Sequence, residues 1–374
     1  MFSKVVIASL LAVVAAKTSW KELDGYSFEK FVSEFGLKYN ASELETRRAL
    51  FTAELARVKA HNAKNLSWKE GVNKFSAMTA EEKKAFHGIS KGHLQAQKGS
   101  LKHVKSLPAD FKLKPVKDLP TNVDWRTSGI VSAVKDQGHC GSCWAFASTA
   151  TIESHVAKAT GLLFDLSPEQ IAMCSPNPDS CGGTGGCNGA THELAFEYLS
   201  NSDGFYQEFQ YPYTSYTGTN YDCALPKVGS PKATINGYVQ LPSNDYLSLL
   251  NAIATVGPIA ITVDASEWHS YESGIFNGCN QVNPDLNHGV VLVGYGTENG
   301  QDYWLVRNSW NANFGEAGYI RVARTSDESS LCGSDITPQD GTACAGNDDP
   351  INVCGTCGIL YDTSYPLNAA VNMA

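Results

Sequence analysis

All 11 cysteines of this 374-residue chain lie at or after position 140. The chain therefore divides into a front part without cysteine and a back part that disulfides can cross-link. Because 11 is an odd number, an exported protein of this kind keeps one thiol unpaired. The pattern predicts a cross-linked back domain that retains one free cysteine.

The N-terminus indicates export, the condition under which disulfides form. Lys4 precedes an apolar run over residues 5–16, and Val14 and Ala16 provide the small residues that suit cleavage after Ala16. As a helix, these 12 residues would span about 18 Å, well short of the roughly 30 Å bilayer core. We predict a signal peptide over residues 1–16, a secretory-pathway protein and no membrane anchor.

Charge is distributed unevenly along the chain. Residues 1–118 contain 21 Lys and Arg against 12 Asp and Glu, whereas residues 119–374 contain 8 against 26. The formal net charge of −9 argues against nucleic acid as the main partner. We expect the cationic front part and the anionic back part to attract each other, although composition alone leaves this open.

A glycine-rich approach to a helix contains one of the cysteines. Residues 137–146 read QGHCGSCWAF, and residues 143–157 favour a helix, so Cys143 lies at or near a helix N-terminus. The unpaired N–H groups and the helix dipole there favour a thiolate. The stretch resembles the C-G-S-C-W signature of papain-like cysteine proteases. This resemblance implies that Cys143 is a catalytic nucleophile and not a buried structural cysteine.

Of the nine histidines, His288 is the best candidate for the proton partner of that thiolate. It begins an apolar run, residues 288–296, that ends in glycine and is typical of a buried strand. The other histidines lie in the front part or lack such a flank. The run resembles the histidine strand of the family, with Asn287 where Asp is frequent, and implies that His288 acts as acid and base.

Two further residues complete the constellation that the resemblance implies. Residues 303–310 read YWLVRNSW and resemble the strand of the family that ends in N-S-W. Asn308 would fix the imidazole by a hydrogen bond, and Trp310 would shield that bond from water. Gln137 would donate to the developing oxyanion together with the Cys143 backbone N–H.

The front part resembles a papain-family propeptide. Positions spaced three or four residues apart share one helix face; they are Glu43, Arg47, Phe51, Glu54, Val58 and Asn62. They resemble the interrupted E-R-F-N-I-N helix, with Glu54 and Val58 replacing the usual Asn and Ile. Residues 71–75 resemble the G-x-N-x-F-x-D motif, although Ala77 replaces its Asp. The resemblance implies a helical intramolecular inhibitor whose residues 90–118 lie along the cleft, backwards relative to substrate. Asn40 and Asn65 begin glycosylation sequons.

The resemblance also implies disulfides, namely Cys140–Cys187, Cys174–Cys223 and Cys279–Cys357. An even number of cysteines then remains besides Cys143; these are Cys181, Cys332, Cys344 and Cys354. Four cysteines allow three connectivities, and the sequence does not choose among them. Cys354 and Cys357 have the C-x-x-C spacing of some redox and zinc sites, but in an exported chain structural disulfides are favoured. We therefore expect no metal and no cofactor.

By the same resemblance, substrate-binding positions are Gly189, Ala190, Thr191, Thr262, Leu286, Gly289, Trp310 and Asp362. Ala190 replaces a glycine that binds substrate backbone. Members of the family with an acidic residue at the position of Asp362 accept Arg as well as apolar groups at P2. We predict the same dual acceptance here, with Arg favoured once Asp362 ionises. The alternative is that Asp362 turns to solvent.

The expected fold class is α+β: a two-lobed papain-like fold, with a helical lobe carrying Cys143 and an antiparallel β-barrel-like lobe carrying His288 and Asn308, preceded by a helical prosegment. The predicted divisions are a signal peptide 1–16, an inhibitory propeptide 17–118 and a peptidase domain 119–374, with the helical lobe at about 125–230, the β-rich lobe at about 231–374 and a cysteine-containing insertion at about 325–356.

The function implied is that of a monomeric cysteine endopeptidase, made as an acid-activated zymogen, that hydrolyses protein and peptide substrates through an acyl-enzyme. We expect it in a lysosome or vacuole or outside the cell, open to cystatin-like inhibitors. A catalytically dead homologue would have lost one of four residues, and Cys143, His288, Asn308 and Gln137 are all present. An exopeptidase would need one end of the cleft blocked. No His-His occluding loop is present, but the insertion at 325–356 leaves that alternative open.

Overall fold

The computed structural model describes residues 17–88, 101–326, 328–347 and 349–372. The predicted signal peptide lies outside the described residues, and so does part of the predicted linker, at 89–100. Among the helices in these described ranges, none combines the length and apolarity needed to cross a bilayer.

Seven α-helices lie in the described ranges: α1 Phe28–Glu34, α2 Leu44–Asn62, α3 Ala80–Lys84, α4 Cys143–Thr160, α5 Pro168–Cys174, α6 His192–Asn201 and α7 Tyr246–Thr255. The strands there are β1 Trp68–Glu70, β2 Val104–Lys105, β3 Val123–Asp124, β4 Ala233–Thr234, β5 Tyr238–Gln240, β6 Ile259–Val263, β7 Tyr271–Phe276, β8 His288–Glu298, β9 Gln301–Arg307, β10 Tyr319–Ala323, β11 Cys332–Asp335, β12 Ile351–Cys354, β13 Thr363–Pro366 and β14 Ala370–Val371.

Ten of these strands form one broad sheet. Its order is β1-β7-β10-β9-β8-β6-β13-β5-β2, and β3 pairs with β8. Neighbours are antiparallel except for β7 with β10 and β2 with β5. The path has two ends, so the β-rich lobe is built on an open sheet and is not a closed barrel.

Helix α4 joins the helical lobe to this sheet. Every side chain from Cys143 to Ala157 is buried. Most of them are apolar or small, as a helix buried on all faces favours, and the buried Glu153 is paired with Lys135. Ala147 and Ala150 pack against Val291 and Val293 of β8. Because these alanines are small, the helix backbone approaches the sheet closely. The contact sets the first residue of α4 beside the first residue of β8.

The prosegment has a small core of its own and also extends the sheet. Phe31, Phe51 and Val58 are buried together, and Phe31 stacks on Phe51 with ring centroids 4.7 Å apart. The helix predicted from the E-R-F-N-I-N pattern is α2, and Glu43 is the residue immediately before it. Strand β1 pairs antiparallel with β7, so the prosegment covers one edge of the sheet.

Five disulfides cross-link the back part, and all 11 cysteines lie within the described residues. The pairs are Cys140–Cys187, Cys174–Cys223, Cys181–Cys344, Cys279–Cys357 and Cys332–Cys354. Cys143 is the free cysteine. In the insertion, Cys332–Cys354 joins β11 to β12, which pair with each other, whereas Cys181–Cys344 reaches back to the loop between α5 and α6.

Candidate active site

Cys143 is the first residue of α4, and the chain before it is held in place by a disulfide. Cys140 is bonded to Cys187, and the Gly141 N–H donates to the Cys187 carbonyl at 3.0 Å. The Cys143 Sγ accepts hydrogen bonds from two backbone N–H groups, those of Gly88 and Gly289, each at 3.1 Å. One of these donors belongs to the prosegment and the other follows His288.

His288 and Asn308 meet because their strands pair. The register places Val291 opposite Arg307, so Asn308 leaves β9 beside the start of β8. The His288 Nε2 lies 2.8 Å from the Asn308 Oδ1. Since that oxygen is an acceptor, Nε2 carries the proton and Nδ1 is left as the basic nitrogen. Nδ1 is buried and has no hydrogen-bond partner among the described residues. The Trp310 ring covers the imidazole, with centroids 4.7 Å apart.

The amide of Gln137 points at a carbonyl of the prosegment. Its Nε2 donates to the Phe86 carbonyl at 3.0 Å and to the Cys140 carbonyl at 2.9 Å. The Trp310 Nε1 donates to the same Phe86 oxygen at 3.1 Å. The Ser309 hydroxyl donates to the Gln137 Oε1 at 2.6 Å, which orients the amide. A prosegment oxygen therefore occupies the donor predicted to serve the oxyanion.

Aromatic side chains dock the prosegment on this site. Phe75 lies edge-on to Phe86 and to Trp310, at 4.8 and 5.2 Å between centroids. His87 lies 6.0 Å from the His288 ring and 4.9 Å from the His269 ring. His87 thus lies beside the imidazole, and the side chains of Cys143 and His288 are fully buried.

Gly88 fills the remaining space above the sulfur. A Cβ at Gly88 would clash with the Cys143 Sγ and would lie 2.6 Å from the Gly141 carbonyl oxygen. On the far side, Gly88 contacts Gly189, because a Cβ built on Gly189 would meet the Gly88 carbonyl. Only a glycine fits between the nucleophile and the wall formed by Gly189.

Burial under the prosegment keeps both reactive groups neutral. Burial raises the pKa of the Cys143 thiol to about 11, although backbone N–H groups of Gly289 and Gly88 act in the opposite direction. Burial lowers the pKa of His288 to about 4, although the hydrogen bond that His288 donates to Asn308 acts in the opposite direction. At pH 7 the pair is thus a thiol and a neutral imidazole. The thiolate expected from the helix N-terminus is not favoured here, because desolvation outweighs the helix dipole.

The predicted substrate-binding position Asp362 does not turn to solvent. It is 7% exposed, its Oδ2 accepts a hydrogen bond from the Thr262 hydroxyl at 2.7 Å, and its Oδ1 lies 3.7 Å from the His192 Nε2. The same His192 nitrogen lies 2.7 Å from the Glu193 Oε1. Burial and the Glu193 charge raise the pKa of Asp362 to about 7. Although burial opposes it, the charges of Glu193 and Asp362 raise the pKa of His192 to about 9.

These three side chains are the one group within the described residues whose ligand atoms lie close enough together to share a metal ion. Ser364 donates to the Glu193 Oε1 at 2.7 Å. His192, Glu193 and Asp362 therefore form an internal ionic cluster, and Thr262 and Ser364 donate to its two carboxylates. We assign them no metal.

Of the other predicted positions, Gly289 contacts Cys143 and Gly189 contacts Gly88. Ala190 is fully buried, Thr191 is the residue before α6, and Leu286 is buried just ahead of β8. Gly289 packs against Trp144, where a Cβ would lie 3.1 Å from the Trp144 Cα. No sequence motif pointed to His87, His269 or Glu193. A search for histidines near the prosegment motif at residues 71–75 could have found His87. Nothing in the sequence placed His269 on Trp310, where the ring centroids are 5.0 Å apart.

Comparisons with known proteins agree with this geometry. The family described as "Papain family cysteine protease" matches residues 119–339, and "Cathepsin propeptide inhibitor domain (I29)" matches residues 28–82. The chain is 35% identical to cathepsin L of Sarcophaga peregrina over 341 residues, covering 88% of this chain and 97% of that protein. It is 37% identical to vignain of Vigna mungo over 311 residues, covering 82% of each.

Among solved structures, digestive procathepsin L 3 of Tenebrio molitor larval midgut superposes with a TM-score of 0.71 at 32% identity. The match covers 94% of this chain and 100% of that chain. The predicted fold class is confirmed by this likeness, with an open sheet in place of the barrel-like lobe. The predicted propeptide is likewise confirmed.

Substitution of Gly88 by alanine should weaken self-inhibition. The added methyl must push the prosegment off the Cys143 sulfur, and overpacking of this kind costs about 1–3 kcal/mol. We expect the Gly88→Ala zymogen to process itself roughly tenfold faster than the parent. The rate of self-processing is measured at pH 6 by gel analysis. Ala85→Ser, a change of similar size on a half-buried neighbour, should leave the rate unaltered. Equal rates for parent and Gly88→Ala would contradict the assigned fit.

Proposed function

Because the chain belongs to the papain family of cysteine proteases, we propose that it is a cysteine endopeptidase acting through Cys143, His288 and Asn308, made as a zymogen that acid activates. The observation that carries this proposal is the 2.8 Å contact of the His288 Nε2 with the Asn308 Oδ1, which leaves Nδ1 free. The Sγ of the free thiol, Cys143, accepts a hydrogen bond from the N–H of Gly289, the residue after His288.

The chemistry follows from removal of the prosegment. Water then reaches the pair, the desolvation that keeps it neutral is relieved, and the proton of Cys143 passes to the His288 Nδ1. The sulfur attacks the substrate carbonyl, and the imidazolium protonates the departing amine. A water molecule, deprotonated by the same nitrogen, hydrolyses the thioester. Gln137 is released from the Phe86 carbonyl and becomes a donor for the oxyanion.

Replacement of Gln137 tests the role of this donor. Removing one oxyanion donor typically lowers kcat about 100- to 1000-fold, so we expect a loss of that size in mature Gln137→Ala enzyme with little change in KM. Cys143→Ala should be inactive. Gln240→Ala, on the exposed side of β5, is the matched control. A Gln137→Ala enzyme with full kcat would remove this residue from the mechanism.

The acid step is proposed from the charged contacts between prosegment and enzyme. Lys74 lies 2.9 Å from Asp136, and the His103 Nδ1 lies 2.8 Å from the Glu197 Oε1. Although burial opposes it, hydrogen bonds from the His103 side chain and from the N–H groups of His103 and Lys102 lower the pKa of Glu197. At a pH above the ordinary glutamate pKa, this contact therefore stabilises the docked prosegment fully. Its contribution is lost as the pH falls through the lowered pKa of Glu197.

Not all interface carboxylates act in this direction. Burial raises the pKa of Glu272, although the charge of Lys17 acts in the opposite direction. Protonation of Glu272 in acid therefore does not weaken docking of the prosegment. The prosegment is therefore released by protonation of those carboxylates whose pKa is lowered in the docked state, as that of Glu197 is.

Glu197→Gln tests the acid step. Loss of the charged contact should speed prosegment cleavage at pH 5 by roughly fivefold, equivalent to about 1 kcal/mol, and flatten the dependence on pH between 5 and 3. The readout is processing of Cys143→Ala zymogen by a trace of mature enzyme, at low and high salt. Glu45→Gln, on the exposed face of α2, serves as control. An unchanged pH profile in Glu197→Gln would refute the assignment.

Specificity at P2 is proposed from the cluster around Asp362. The opposite charges of His192 and Glu193 largely cancel, so ionisation of Asp362 decides the net charge of the cluster. Because its pKa is raised to about 7, Asp362 is neutral in acid, where an apolar P2 group suits the pocket, and anionic above pH 7, where Arg is attracted.

The preference for Arg over Leu at P2, measured as a ratio of kcat/KM, should therefore rise roughly tenfold between pH 5 and pH 8. In Asp362→Asn the ratio should stay flat, because no charge develops. Asp203→Asn, at an exposed position, should behave as the parent. If Asp362→Asn kept the pH-dependent rise, another group would set the preference.

We propose further that the protein matures in the secretory pathway and works in a lysosome or vacuole or outside the cell. Its five disulfides support an oxidising route of synthesis. The sequon residues Asn40 and Asn65 are both exposed, so oligosaccharide would fit at either. Division into a propeptide at 17–118 and a peptidase domain at 119–374 is supported by the two family matches, which fall within these limits.

A further inference from the structure

The insertion contains a segment that crosses from one lobe to the other. This cross-lobe segment, residues 336–347, follows β11 in the β-rich lobe and first contacts Leu286, since a Cβ on Gly341 would lie 2.6 Å from the Leu286 carbonyl oxygen. It ends in the helical lobe, where Cys344 is bonded to Cys181.

Backbone hydrogen bonds fix the helical-lobe end as well. The Gly182 N–H donates to the Ala343 carbonyl, and the Ala345 N–H donates to the Asp179 carbonyl, each at 3.1 Å. A disulfide flanked by two backbone hydrogen bonds does not open by a side-chain rotation. The crossing is therefore a fixed part of the mature enzyme and not a mobile cover.

Both ends of the segment lie against positions predicted to bind the P2 residue. Gly182 packs on Ala190, because a Cβ there would lie 2.9 Å from the Ala190 carbonyl oxygen. Leu286, at the other end, lies two residues before His288. The side chains of Gln137 and Trp310 both donate to the Phe86 carbonyl of the prosegment. The contacts of the segment described above involve neither of them. The crossing thus lies on the side of Cys143 that holds the N-terminal portion of a substrate.

Carboxylates lie where the segment meets Leu286: Asp285 directly precedes Leu286, Asp335 ends β11 just before the segment, and Asp340 belongs to the segment. Asp335 is fully buried, and its Oδ2 accepts no hydrogen bond from the described residues; the same holds for the Asp285 Oδ1. Burial and the charges of Asp264, Asp335 and Asp340 raise the pKa of Asp285 to about 7. A cation placed here would relieve that repulsion. The α-amino group of a peptide, with an ordinary pKa of about 7.7–8.0, is such a cation.

We propose that the cross-lobe segment ends the cleft after the S2 subsite, so that the enzyme preferentially releases dipeptides from free N-termini and cuts internal bonds more slowly. This inference rests on the proposed function and uses the same steps. The Cys143 sulfur forms a thioester with the carbonyl of the second residue, the following amine leaves with the proton from His288, and water releases the dipeptide.

The test compares substrates that differ only at the N-terminus. Mature enzyme is assayed with a Leu-Arg aminomethylcoumarin that has a free amine, with its N-acetyl form, and with the same dipeptide extended by two alanines. We expect kcat/KM to be at least tenfold higher for the free-amine dipeptide than for either of the others. Equal or faster cleavage of the acetylated substrate would overturn the proposal and leave the endopeptidase function standing. If Cys143 reacts with an alkylating reagent, so that the site is accessible, but no substrate is cleaved, the proposed function is contradicted and this inference with it.

A disulfide variant tests the segment itself. In Cys181→Ser/Cys344→Ser the crossing is released, and the ratio of free-amine to acetylated cleavage should fall at least fivefold, through faster cleavage of the acetylated substrate. Cys332→Ser/Cys354→Ser removes a disulfide of the same insertion that does not join the lobes, and it should keep the parental ratio. Active-site titration corrects for any misfolded fraction. A ratio unchanged by loss of Cys181–Cys344, or lowered equally in both variants, would show that the segment only cross-links the fold.

Discussion

The site depends on the contact between helix α4 and strand β8. Cys143 begins the helix and His288 begins the strand, and each element belongs to a different lobe. Alanines of α4 pack on valines of β8, so the distance between the two lobes is set by the smallest side chains that still exclude water. A larger residue on either face would move the sulfur away from the imidazole without touching a catalytic atom. The chemistry is thus fixed by packing that is itself chemically inert.

Inhibition by the prosegment is electrostatic as well as steric. Gly88 and Phe86 block the sulfur and the amide of Gln137, but they also remove water from groups that need it in order to ionise. The hydrogen bonds to the sulfur do not compensate, since burial dominates the pKa of both Cys143 and His288. The zymogen therefore holds a neutral pair, and in the proposed activation the entry of solvent lets that pair ionise.

The sequence predicted those parts of the site that depend on short, local patterns. The helix start at Cys143 follows from the glycine-rich approach and the strand start at His288 from its apolar run, whereas the roles of Cys143, His288 and Asn308 rest on the resemblance to the family motifs. The sequence could not pair Cys181 with Cys344, because parity allows three connectivities and the partners are 163 residues apart. Glu193 was missed for a related reason: its partner Asp362 comes close only when β13 lies beside β6. Likewise the strands β1 and β2 of the prosegment are too short to show a period.

Several departures from the family pattern lie at or next to positions predicted to bind substrate. Ala190, the ionic cluster at Asp362 and the Cys181–Cys344 crossing are among them, whereas Gln137, Trp310 and Asn308 keep the residues that the family pattern leads us to expect. Cys181 and Cys344 make sense only together, because either one alone would leave an unpaired thiol in an exported protein. The loop after α5 and the C-terminal insertion are therefore joined as one cross-linked unit. In the role proposed above, this unit selects which end of a peptide reaches Cys143 and leaves His288, Asn308 and Gln137 unaltered.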